Sequence, residues 1–106
     1  PSRPARILKI DDIEIDADDR AVHRQGVEIQ LTPKAFDLLV ALIEKQGRVA
    51  SRQELLHHVW GYAESVTTRT VDAHIKNIRA KLRAVRPDLD PIVTHRGSGY
   101  SLRDDL

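Results

Sequence analysis

The sequence predicts an α+β domain: a small antiparallel sheet of four short strands, three helices, and a closing β-hairpin. Three observations carry this prediction. Residues 7–31 hold short runs of alternating apolar and polar residues, separated by turn residues. Residues 32–84 switch to helical periodicity, with capping residues where each helix should begin. Residues 92–102 return to two short apolar runs around Gly97, Ser98 and Gly99.

The strands are read at Ile7 to Ile10, at Ile13 and Ile15, at Ala21 and Val22, and at Val27, Ile29 and Leu31. Asp18 with Asp19, and Gln25 with Gly26, supply the later turns, because Asp and Gly tolerate the required backbone angles. The first helix starts at Thr32 and Pro33, a capping hydroxyl followed by a residue suited to the first helical position. Phe36, Leu39, Val40 and Ile43 then recur at helical spacing, Leu38 and Leu42 widen the apolar face, and the helix should stop near Gly47. Val49 and Ala50 form a candidate short strand. Ser51 with Glu54 makes a capping box, so the second helix begins at Arg52, runs through Leu55, Leu56 and Val59 to Trp60, and ends at Gly61. The third helix occupies about 68–84 and ends before Pro87. The last hairpin pairs Ile92–His95 with Tyr100–Leu102.

The 106 residues suffice for one domain with one modest core. Aromatic residues make up only 4%, so that core must be built from Leu, Ile, Val and Ala. The chain has no cysteine, which excludes disulfide staples, thiol catalysis and Cys-based zinc sites and is compatible with the cytoplasm. No apolar run approaches a membrane span, and no signal peptide is visible, so no membrane partner is expected. The chain begins at Pro1 and lacks methionine, so either an initiator Met was trimmed or, the favoured expectation, it is a piece of a longer protein, with residues 1–6 a linker remnant and residues 7–106 the domain.

A net charge of +1 is uninformative, but its distribution is not. Residues 11–19 carry six acids and no base. Residues 69–96 carry seven bases against three acids, a local excess of four positive charges. Such a molecule would be oriented in the field of a polyanion, although charge runs are also simply solvated surfaces.

On a wheel of about 100° per residue, Val71, Ile75, Ile78 and Leu82 share one narrow stripe of the third helix. Arg69, Ala73, Lys76, Asn77 and Ala80 lie opposite, with Thr70 and His74 on the flank. Small residues at the centre of that face permit close approach to a groove. Arginine matches guanine with two hydrogen bonds, and asparagine matches adenine in the same way. A structural surface helix would show Glu–Lys pairs here instead, and Asp72 with Lys76 is one such spacing.

LTPKAFDLL, GRVASRQELLHHVWG, RTVDAHIKNIRAKL and HRGSGY occur in an order that resembles the DNA-binding effector domain of OmpR/PhoB-type response regulators. The resemblance covers about Leu31 to Leu102. It implies a winged helix-turn-helix with an N-terminal four-stranded antiparallel sheet (7–31), a three-helix core (32–84) and a C-terminal β-hairpin wing (92–102). It further implies promoter double-stranded DNA as ligand, often as head-to-tail dimers on direct repeats, so a second copy of the chain is a partner on DNA. An upstream receiver domain, its sensor kinase and RNA polymerase are the other implied partners; no cofactor, metal or catalysis is implied.

Carried over by position, Arg69, Thr70, Ala73, Lys76 and Asn77 would face base edges or nearby phosphates, and Arg96 at the wing tip would enter the minor groove. Arg52, Trp60, His74, Lys81 and Thr94 would contact phosphates. The loop Gly61, Tyr62, Ala63, Glu64, Ser65, Val66, Thr67 would touch polymerase. An arginine beside glycines suits a narrow, strongly negative minor groove, and Gly97 and Gly99 allow the turn through positive φ.

Three positions depart from the family pattern. Ala35 replaces a frequent glutamate, so the first helix loses its capping box. Asn77 replaces a frequent base, and His95 an apolar residue, which alters the expected target sequence. Two rival classes are weighed against this reading. An enzyme or metal protein built on the five histidines lacks any recognisable motif, and the adjacent His57 and His58 would diverge on a helix. A winged helix used only for protein contact would show apolar or acidic residues where Arg69, Lys76, Asn77 and Arg96 stand.

Overall fold

A computed structural model describes residues 7–62 and 65–103. Its elements are β1 (Ile7–Ile10), β2 (Ile13–Asp16), β3 (Ala21–Arg24), β4 (Val27–Glu28), α1 (Pro33–Glu44), α2 (Arg52–Trp60), α3 (Thr68–Val85), β5 (Ile92–His95) and β6 (Gly99–Leu102). β1 to β4 form an antiparallel sheet in sequence order, and β5 and β6 form a separate hairpin.

Alternation within the sheet sets its inner face. Register pairs Leu8 with Ile15 and Ile15 with Val22, so these three line one side, next to the Ile10–Ile13 pair. Ile10, Ile13, Ile15 and Val22 are buried, whereas Lys9 and Glu14, paired on the opposite face, are exposed. Asp16 Oδ1 accepts from the amides of Asp18 and Asp19 at 3.0 Å each and shapes the β2–β3 turn. Gln25 and Gly26 both take positive φ, +51° and +81°, as a two-residue hairpin turn between right-twisted strands requires. β4 is shorter than the sequence pattern indicates. Its ladder ends with Ile29 N donating to Val22 O at 2.8 Å, and Leu31 lies beyond the strand because the chain must leave the sheet to cap α1.

Thr32 Oγ1 accepts from the amide of Ala35 at 3.2 Å, so α1 keeps half of a cap even though Ala35 cannot complete a box. The buried centre of α1 is Ala35, Leu38, Leu39 and Leu42, with Phe36 beside it; Val40 and Ile43 are only half-buried. The stripe is rotated from the predicted one because α1 packs against both other helices and the wing. Each fully buried leucine contributes about 1.5–3 kcal/mol of transfer free energy. α2 carries the complete capping box: Ser51 Oγ accepts from Glu54 N at 2.9 Å, and Glu54 Oε1 accepts from Ser51 N at 3.3 Å. Its buried residues Leu55, Leu56 and Val59 meet Val71, Ile75, Ile78 and Leu82 of α3 in one continuous core.

Val49 and Ala50 do not form a strand of their own. Ala50 instead makes a single bridge to β6, with Ala50 N donating to Tyr100 O at 2.8 Å and Tyr100 N donating to Ala50 O at 3.0 Å. The approach is close enough that a Cβ on Gly99 would stand 1.9 Å from Ala50 O. Gly99 therefore belongs to β6, opposite His95, and the turn proper is residues 96–98.

Part of the acidic run is absorbed into the fold. Arg86, at the end of α3, donates to Asp12 at 2.8 Å, Asp11 at 3.1 Å and both oxygens of Asp88. Arg24 donates to Asp12 at 2.9 Å. The Arg86 guanidinium holds the Asp88 carboxyl down at about 2. These contacts tie the first hairpin of the sheet to the far end of α3. The opposition of an acidic end to a basic end is thus weaker than the sequence suggests.

Candidate nucleic-acid interface

The α3 surface is sorted by its own periodicity. Because Val71, Ile75, Ile78 and Leu82 face the core, Arg69, Ala73, Lys76, Asn77, Ala80 and Lys81 are exposed, and Thr70 and His74 are half-buried at the edge. The His74 ring is fixed twice. Its Nδ1 lies 2.9 Å from Thr70 O, and since a carbonyl only accepts, Nδ1 is the donor. The ring also meets Trp60 edge-on, centroids 4.9 Å apart, which joins the end of α2 to the flank of α3. Trp60 and His74, both expected at phosphates, thus share one patch.

Arg52 opens α2, but its guanidinium is already engaged. Nε donates to Asp72 Oδ1 at 3.0 Å, and Nη2 donates to Asp72 Oδ2. Tyr100 of β6 donates its hydroxyl to the same Asp72 Oδ1 at 2.6 Å. Asp72 therefore joins α2, α3 and the wing. Its carboxyl is held below the usual range, chiefly by the Arg52 hydrogen bond, while Tyr100 is pushed up to about 12 by burial and then by Asp72. The sequence spacing suggested Asp72 pairs with Lys76; the observed partners come from other elements because Asp72 lies on the flank of α3 that faces the wing.

Seven residues along, on nearly the same flank, Arg79 makes the second link. Its Nη2 donates to Thr94 Oγ1 at 2.7 Å and to Ile92 O at 2.8 Å. Nε lies 3.7 Å from Asp90 Oδ1, within ion-pair range but too far for a hydrogen bond. Thr94, expected at a phosphate, is an acceptor here, and its own O–H remains a donor that could turn to one. Of the seven bases counted in 69–96, Arg79 and Arg86 face inward. Arg69, Lys76, Lys81, Arg83 and Arg96 are the exposed set.

Arg96 is exposed at the wing tip, in a turn closed by Ser98 N donating to His95 O at 2.9 Å. His95 Nε2 and the Ser101 hydroxyl are in hydrogen-bond contact at 2.8 Å, so the polar residue found where an apolar one is frequent has a partner across the hairpin. The loop after α2 starts at Gly61, whose φ of +75° ends the helix. Tyr62 is 83% exposed, its ring centroid 4.3 Å from that of His57, and Val66 packs against the core. Ala63 and Glu64 of that loop, like the linker remnant 1–6, lie outside the described residues.

Sequence reasoning missed Asp72, Arg79 and Tyr100 as a set. The available signal was angular: on the wheel, 72 and 79 fall about 20° apart, beside the core stripe rather than opposite it. Among the described residues, no three His, Asp or Glu side chains converge as a metal site, and no helix is long and apolar enough to cross a membrane.

Residues 26–102 match the family described as "Transcriptional regulatory protein, C terminal". The transcriptional regulatory protein CreB of Escherichia coli is 46% identical over 102 residues, covering 96% of this chain and 44% of CreB. MtrA of Mycolicibacterium smegmatis, a DNA-binding response regulator, is 45% identical over 97 residues, covering 92% of this chain and 42% of MtrA. The chain thus spans less than half the length of these relatives. The RstA DNA-binding domain of Klebsiella pneumoniae, solved in complex with the RstA box, superposes with a TM-score of 0.79 at 27% identity, covering 93% of this chain and 98% of that one.

Proposed function

Since the chain belongs to the family of transcriptional regulatory protein C-terminal domains, the OmpR/PhoB-type effectors, we propose that it binds particular sequences of double-stranded DNA and regulates transcription, without catalysing a reaction. The observation that carries this reading is the α3 surface. Arg69, Lys76 and Asn77 stand exposed around the small residues Ala73 and Ala80, on a helix whose opposite stripe, Val71, Ile75, Ile78 and Leu82, is buried in the core. Arg96 is exposed on a hairpin held to that same helix.

In this reading α3 lies in the major groove and Arg96 enters the minor groove. Arg69, Thr70, Ala73, Lys76 and Asn77 meet base edges or nearby phosphates. Arg52, Trp60, His74, Lys81 and Thr94 meet the backbone. Two copies sit head to tail on direct repeats, the segment 61–67 touches RNA polymerase, and a receiver domain controlled by a sensor kinase lies on the same bacterial, cytoplasmic protein. Phosphate contacts fix the register, and base contacts supply the sequence preference.

The test is selection from a randomised duplex pool, followed by binding titrations across a salt series. A preferred sequence should emerge, and its affinity should fall steeply as salt rises, because each neutralised phosphate releases counterions. A chain that retains no duplex at low salt, or selects none, does not bind DNA as proposed. Arg96→Ala should weaken binding and relax A·T preference where the wing sits; an unchanged footprint would remove the wing from the interface.

A further inference from the structure

An acid on a helix that faces a polyanion should weaken binding, yet Asp72 sits on α3 between the exposed Ala73 and the buried Val71. We propose that Asp72 is a positioning residue for DNA binding: by holding Arg52 it aims that guanidinium at the DNA backbone, so the carboxylate strengthens binding. This rests on the DNA-binding reading above.

The geometry supplies the reason. A guanidinium has five N–H donors in a fixed planar fork. Arg52 presents the Nε and Nη2 edge to Asp72, and Nη1 makes no hydrogen bond among the described residues. The fork is therefore locked in plane and direction while its other edge stays available. The site is half-open, with side-chain exposures of 41% for Arg52 and 37% for Asp72, so a phosphate can reach the guanidinium. Asp72 is itself held by the Tyr100 hydroxyl of the wing, which donates to the same Oδ1 that accepts from Arg52 Nε. A free arginine would have to lose rotamer freedom on meeting DNA; this one has lost it on folding. Lysine could not replace it, because a single ammonium cannot bind both carboxylate oxygens in plane and still offer a rigid outward edge.

The test uses the duplex that the wild-type chain selects from a randomised pool. Its affinity is measured over a salt series for the wild type, Asp72→Asn, Arg52→Ala and the double variant, with thermal melts of each. Asp72→Asn should bind roughly tenfold more weakly despite losing a negative charge, the size of one charge-assisted hydrogen bond. Its salt dependence should flatten by about one unit of slope. In the Arg52→Ala background Asp72 is an unpaired acid, so the same substitution should no longer weaken binding and should tighten it if anything. Should Asp72→Asn fail to fold, Arg52→Lys keeps the charge but not the fork and should bind nearly as weakly as Arg52→Ala. Unchanged or tighter binding by Asp72→Asn, an equal loss in both backgrounds, or wild-type binding by Arg52→Lys each overturns the proposal while leaving DNA binding intact. A wild-type chain that binds no duplex instead removes the DNA reading and this proposal together.

Discussion

Arg79 Nη2 lies 2.7 Å from Thr94 Oγ1, and the same nitrogen donates to Ile92 O at 2.8 Å. One guanidinium in the middle of α3 thereby holds a side chain and a backbone carbonyl of β5. The wing is not a loose appendage whose tip finds a groove by itself. Its first strand is fastened to the helix proposed to read the major groove, and its second reaches Asp72 through Tyr100.

Removing the Arg79 side chain should therefore loosen the wing before it affects the helix. Arg79→Ala leaves the Ile92 carbonyl and the Thr94 hydroxyl without their partner, and a loss of roughly 1–3 kcal/mol is expected. Thr94→Val removes only the hydroxyl and should cost about 1 kcal/mol. Urea unfolding of both single variants and the double variant measures the coupling. If the two losses simply add, the contact contributes nothing of its own.

Gly99 and Gly97 make a controlled pair. Both have positive φ, +141° and +76°, but only Gly99 is crowded, with Ala50 O 1.9 Å from where a Cβ would sit, whereas nothing lies within 4 Å at Gly97. Gly97→Ala should cost about 1–2 kcal/mol, the backbone penalty alone. Gly99→Ala must also push β6 away from Ala50 and should cost roughly 3 kcal/mol or more. Denaturant midpoints for the two variants decide the matter; equal losses would mean that the Ala50 bridge yields freely.

Much of this architecture was legible in the sequence because it rests on local rules. The Ser51–Glu54 box, Thr32 before Pro33, and the Val71, Ile75, Ile78, Leu82 stripe each declare themselves within a few residues. The exposed groove face follows from the stripe, since whatever opposes the core must face outward. What stayed hidden depends on tertiary approach. Arg52 and Asp72 are twenty residues apart, and Asp72 and Tyr100 twenty-eight, so no window contains them. Arg79 and Arg86 counted as part of a basic surface because charge alone does not tell an outward arginine from one turned into the fold. The truncation of β4 likewise reflects where the chain must go next, not its own residues.

Tyr100 gives an alkaline signature. Its pKa is pushed from the ordinary tyrosine value of 10.0 up to about 12, by burial first and by the nearby Asp72 second. Because the folded value exceeds the unfolded one, its share of stability is fully present below pH 10 and is lost as pH rises through 10 to about 12. Unfolding curves collected across that range should show the loss, and Tyr100→Phe should flatten it. Ultraviolet phenolate absorbance should show one tyrosine titrating late in the wild type. A Tyr100→Phe variant that loses stability over the same interval as the wild type would place the titrating group elsewhere.

Asn77 and Lys81 are exposed on the same helix and should behave oppositely on DNA. An amide can form two matched hydrogen bonds with adenine, whereas an ammonium near the backbone acts as a point charge that ignores sequence. Asn77→Ala should therefore cut the preference at a single base pair by about 1–3 kcal/mol and leave affinity for unrelated duplexes nearly unchanged. Lys81→Ala should weaken binding to every duplex alike and flatten the salt dependence by about one unit of slope. Selection from a randomised pool, repeated with each variant, distinguishes the two. A uniform loss from Asn77→Ala would make it a backbone contact, and the base preference at that step would then have to come from Arg69, Lys76 or the shape of the duplex.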